Sequence, residues 1–104
     1  MISKEERKGL RTWLEIDTQK LNSNIKEIRG FIGSETKLCV VVKSNAYGHG
    51  LVDFSKATSD KIDYFAVDSL VEGIRLRKEG IDKPIMVLGY TLPELYQSAI
   101  DQDI

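Results

Sequence analysis

Apolar positions along this chain change their spacing several times, and each change marks an element. Thr12 to Asp17 alternates, with Leu14 and Ile16 on one side and Trp13, Glu15 and Asp17 on the other, the period-two pattern of a strand. Leu21, Ile25 and Ile28 then recur at steps of four and three, which predicts a helix that Asp17 or Thr18 caps and Gly30 ends. Leu38 to Val42 is an uninterrupted apolar run, as expected for a strand covered on both faces. Leu51, Phe54 and Ala57 predict a short helix, Tyr64 to Val67 a second strand, and Asp68 with Ser69 a turn. Leu70, Val71 and Ile74 seed a helix that Gly80 can end, and Pro84 to Leu88 supplies a third apolar strand. Thr91-Leu92-Pro93-Glu94 has the S/T-x-x-E form of a capping box, so a last helix is expected to run towards Ile100.

Strands beginning near Leu38, Tyr64 and Ile85, with a helical pattern in each gap, have the rhythm of βαβ units and a parallel sheet. That rhythm fits a barrel and a doubly wound sheet equally. At 104 residues the chain is long enough for one small domain with a core, and far shorter than the roughly 250 residues of a closed eight-stranded α/β barrel.

The balance of 15 basic and 16 acidic residues gives no electrostatic footprint for nucleic acid or for an acidic membrane surface. The apolar runs fall far below the ~20 residues that cross a bilayer, and Met1 to Gly9 lacks the hydrophobic stretch of a signal peptide, so a cytoplasmic location is expected. The single cysteine, Cys39, reads as a buried core thiol in a reducing compartment. One cysteine and one histidine make no metal-ligand cluster.

Against this plain background Lys43 stands out. It ends the apolar run and opens Lys43-Ser44-Asn45-Ala46-Tyr47-Gly48-His49-Gly50, placing an amine at the carboxyl end of a strand, where parallel α/β folds present chemistry to ligands. Apolar surroundings favour the free amine, which can condense with a carbonyl. A strand-end lysine that merely reaches water is the plain alternative. Tyr47 offers a phenol suited to a phosphate oxygen, or simply an aromatic ring that seals the loop. Gly48 and Gly50 supply backbone freedom, Asn45 can order the turn through its own side chain, and His49 reads as an orienting or helix-entry residue. The cluster Arg75, Arg77 and Lys78 reads as a solvated helix face, and Trp13, Glu15 and Asp17 as architecture.

The octapeptide and the strand before it resemble the cofactor-attachment motif of the alanine racemase family, and the resemblance extends from Thr12-Trp13-Leu14-Glu15-Ile16-Asp17 to Val87-Leu88-Gly89. It implies a partial (β/α)8 TIM-type barrel, the first three βα units preceded by an extra strand and helix, over residues 12–104, after a flexible segment at 1–11. It implies pyridoxal 5′-phosphate (PLP) carried by Lys43, its phosphate bonded by Tyr47 and its ring beside Leu88, with Lys43 also moving the α-proton on one face of the substrate; for Leu88 a plain core role is the alternative, since apolar residues at strand ends are common whatever the function. The implied activity is racemisation of alanine, giving D-alanine for peptidoglycan, in a homodimer; serine or another small amino acid is a close variant.

The family's second base is a tyrosine from the carboxy-terminal domain of the other subunit. These 104 residues are not expected to include such a domain, and Tyr64, Tyr90 and Tyr96 match no motif for it, so the chain alone is expected to be weak or inactive. The competing readings are a non-catalytic PLP-binding barrel fragment and a self-associating interaction module whose open sheet edges pair with another chain.

Overall fold

A computed structural model describes residues 3–104. Helix α1 (Thr18–Ile32) leads into strand β1 (Cys39–Val41), a single helical turn α2 (Lys43–Tyr47), helix α3 (Leu51–Thr58) and strand β2 (Tyr64–Val67). Helix α4 (Leu70–Lys78), strand β3 (Ile85–Val87) and helix α5 (Tyr96–Asp101) follow. The three strands form one parallel sheet in the order β1-β2-β3.

Register divides the sheet into two faces. Val40, Phe65 and Ile85 stand in one row, and Val42, Phe65, Val67 and Ile85 join Ile25, Leu76 and Ile81 in the core beneath the helices. The alternate positions Cys39, Val41 and Met86 lie on the opposite face and are exposed, with only the small Ala66 hidden among its neighbours. The run from Leu38 to Val42 is therefore covered on one face, not two. Cys39 is likewise no core thiol: it is exposed on the open face, although partial burial still pushes its pKa up. An apolar run reports that both faces suit burial; the helices of this chain reach only one.

Several details differ from the sequence pattern. Thr12–Asp17 pairs with no strand among the described residues, because period-two alternation needs a neighbouring backbone to become a strand. Of the segment 1–11, Met1 and Ile2 lie outside the described residues, and residues 4–9 make turns. Helix α1 runs through Gly30 and ends at Gly33, whose φ of 74° makes it the better stop. Its start is as expected, since Asp17 accepts hydrogen bonds from the Gln19 and Lys20 amides. The box at Thr91–Glu94 does not form: a 3₁₀ turn at Pro93–Leu95 precedes α5 instead.

Two charged residues tie the layers together. Arg77 is no solvated side chain, for its guanidinium donates to the carbonyls of Ile81, Lys83, Gln102 and Asp103 and so pins the end of α5 to α4. Asp63 accepts from the Leu38 amide and from Arg29, both at 2.7 Å, fixing the start of β1 against β2 and α1. The Leu38 N–H first, and Arg29 second, hold its carboxyl below the usual carboxylate range. A depressed folded-state pKa gives stability that is present above the unfolded value of ~3.9 and is lost as pH falls through the folded one. Asp63→Asn should therefore lower the urea midpoint at neutral pH and flatten its fall on acidification below about pH 4. Equal acid slopes for the two chains would contradict this.

Candidate functional site

The carboxyl ends of the three strands release three turns along one edge of the sheet, and the first of these is backbone of an unusual kind. Ser44, Asn45, Ala46 and Tyr47 have φ of 53, 56, 52 and 54°, so α2 is left-handed. For L-residues with a Cβ that conformation is disfavoured by roughly 1–2 kcal/mol each, and it occurs as isolated residues rather than runs. Strain of this kind persists only where the surroundings over-determine it.

They do so here. The Ala46 amide donates to the Val42 carbonyl at 2.8 Å, and the methyl of Ala46 is buried in the core. The Asn45 side chain accepts from the Leu51 amide at 2.8 Å, closing the loop onto the start of α3. His49 donates from Nδ1 to the Ala46 carbonyl at 2.9 Å and rests edge-on against Phe54, which fixes the tautomer and gives the ring an orienting role. Gly48 and Gly50, at φ of 91 and 94°, supply the exit from the turn.

Glu72, on the first turn of α4, completes the frame. Its Oε1 accepts from the Ser44 amide at 2.9 Å, while Oε2 accepts from the Asp68 amide at 2.7 Å and more weakly from Ser69 at 3.4 Å. The Asp68 carbonyl in turn accepts from the Gly89 amide at 2.9 Å. That approach requires glycine, since a Cβ at position 89 would stand 2.4 Å from the Asp68 oxygen. Hydrogen bonds thus connect the turns after β1, β2 and β3. Sequence reasoning passed over Glu72, although Ser69-Leu70-Val71-Glu72 carries the same S/T-x-x-E signal as the box at Thr91 that does not form.

Lys43 is half-buried at the end of β1, and among the described residues its amine forms no ion pair. Leu88 extends β3 by donating to the Val67 carbonyl at 2.8 Å, and half of it is exposed on the side of Met86. With β2 between them, the two backbones stand about two strand spacings apart, roughly 10 Å. Tyr47 closes the left-handed turn with its side chain largely exposed. An amine, a phenol and an apolar surface at one sheet edge fit part of what PLP would need, since an aldehyde could take the first, a phosphate the second and a ring the third. A cavity of about 430 Å³ lies elsewhere, between the N-terminal segment and α3, lined by Trp13, Ile16, His49 and Asp53; neither Lys43 nor Tyr47 borders it.

Comparison with known proteins identifies a family. Residues 5–104 match the family described as "Alanine racemase, N-terminal domain". The chain is 43% identical to alanine racemase 2 of Oceanobacillus iheyensis over 94 residues, 89% of this chain and 24% of that protein. It is 40% identical to the alanine racemase of Streptococcus uberis over 104 residues, all of this chain and 27% of that one. The solved alanine racemase of Clostridium difficile superposes with a TM-score of 0.87 at 39% identity, covering 92% of this chain and 25% of the other. The chain thus spans about a quarter of the length of the relatives it matches.

Proposed function

The chain belongs to the alanine racemase family, and from that premise we propose that residues 12–104 supply the first three βα units of a (β/α)8 barrel and the cofactor-attachment half of a racemase site. The observation that carries this reading is Lys43, set at a strand end by a left-handed turn whose strain the surroundings over-determine. PLP, when bound, supplies an electron sink for a carbanion at the α-carbon of an amino acid. Lys43 would hold it covalently through Nζ, and the same amine, when free, would remove or return the α-proton on one face. The Tyr47 hydroxyl would donate to a phosphate oxygen, and Leu88 would pack beside the ring.

Alanine is the substrate in this reading, and its D-isomer a product destined for peptidoglycan, in a cytoplasmic enzyme that is a homodimer at full length. The proton on the opposite face needs a base from outside this chain. Incubated with PLP and L-alanine, the 104-residue chain is therefore expected to give no more D-alanine than PLP alone. Turnover that vanishes on Lys43→Ala would overturn the half-site reading. Borohydride reduction with PLP present, followed by peptide mapping, tests attachment: label confined to Lys43 is expected, and scattered label or none would refute it.

A second reading, self-association, is favoured by the open sheet face, where Val41, Met86 and Leu88 are exposed together. Sedimentation velocity tests this reading and the borohydride label tests the first, because a half-site takes cofactor whether or not the chain dimerises.

A further inference from the structure

We propose that Glu72 is a positioning residue for Lys43, its carboxylate clasping the left-handed turn to the end of β2 so that the lysine's backbone is set before any ligand arrives. The inference rests on the reading of Lys43 as the attachment residue.

Capping alone does not explain what Glu72 does. A capping box needs only a bond back to the helix start, which Oε2 provides through Asp68 and Ser69. The other oxygen reaches a residue 28 positions earlier in the chain, the Ser44 amide, which belongs to the peptide joining Lys43 to the turn. This N–H opens a helical turn and has no acceptor within it. Because the acceptor is a carboxylate, the bond is charge-assisted, and it acts on the first of four left-handed residues. Released from it, the Lys43–Ser44 peptide is free to rotate towards the less strained right-handed or extended regions, which would swing the lysine away from the sheet edge.

The same carboxylate reaches Asp68, whose carbonyl holds Gly89 beside Leu88. Glu72 therefore also links the Lys43 turn to the turn that carries Leu88.

The test uses the full 104-residue chain and two readouts, amide hydrogen exchange without cofactor and borohydride-trapped PLP at Lys43. In Glu72→Ala the Ser44 amide should exchange at least about tenfold faster, the loss expected for a hydrogen bond to a charged group, while the core amide of Phe65 keeps its rate. Adduct at Lys43 should fall several-fold at subsaturating PLP. Ser69→Ala, which loosens only the start of α4, should leave both readouts as in the parent chain. Glu72→Gln keeps one acceptor oxygen and cannot serve Ser44 and Asp68 as both carboxylate oxygens do; it should fall between the two and serves if the alanine chain folds poorly.

An unchanged Ser44 rate, an unchanged adduct yield, or equal acceleration at Phe65 would each overturn the proposal, the last by reducing Glu72 to a general stabiliser. If the parent chain itself takes no label at Lys43, it is the attachment reading that fails, and Ser44 exchange alone decides whether Glu72 holds the turn.

Discussion

Lys43→Ala should abolish the borohydride-stable PLP adduct, leaving the other lysines as unlabelled as they are in the parent chain. Covalent attachment needs an amine at the strand end, and Lys43 is the only lysine of the octapeptide from Lys43 to Gly50. Lys43→Arg makes the same point with the charge retained, because a guanidinium stays protonated and cannot condense with an aldehyde. Folding should survive either change. Lys43 is only half-buried and forms no ion pair among the described residues, so stability should move by no more than about 0.5 kcal/mol. Adduct that persists at another lysine would show that the label reports general amine reactivity, and Lys43 would lose its assignment.

Phe65→Ala is expected to have the largest effect on folding. Phe65 is fully buried at the centre of the helix-facing row, between Val40 and Ile85 on the neighbouring strands. Truncating such a ring costs about 3–5 kcal/mol, transfer and cavity together. A domain of this size has only about 5–15 kcal/mol in hand. The melting midpoint should therefore fall by well over about 10 °C, and the urea midpoint with it. Val71→Ala on the exposed side of α4 is the control and should stay within about 0.5 kcal/mol of the parent. A small shift for Phe65→Ala would mean that the core closes around the gap or that Phe65 is not its centre.

Much of the helix-facing half of the fold was legible in the sequence. Tyr64–Val67 is a strand as its composition indicates, α3 and α4 cover the apolar positions that predict them, and Asp17 caps α1. What was not legible depends on partners. Alternation at Thr12–Asp17 shows a segment able to pair, and nothing in the segment says whether a neighbour is present. The role of Arg77 is set by four carbonyls, two of them more than twenty residues further along the chain, and a basic residue on a helix carries no local sign of that.

At the candidate site, Lys43 and the glycines were marked by type and place, but the handedness of the turn was not. Of its four left-handed residues only Asn45 belongs to the types that visit this region readily; Ser44, Ala46 and Tyr47 are held there by their surroundings. Glu72 lies far from Lys43 in sequence, and only the fold brings its second oxygen to the Ser44 amide.

The left-handed turn also changes what the octapeptide spells. Valine, isoleucine or threonine at any position from 44 to 47 would set a branched Cβ in a region that excludes it, whatever chemistry took place nearby. Asn45 answers to the Leu51 amide, Ala46 to the core, His49 to a carbonyl, and Gly48 and Gly50 to their dihedral angles. Of the eight letters from Lys43 to Gly50, these five are accounted for without any ligand, so most of what reads as a chemical signature is a grammar of backbone shape. Substitution across it should be tolerated according to conformation first, with reactivity as the stricter test at Lys43 and Tyr47 alone.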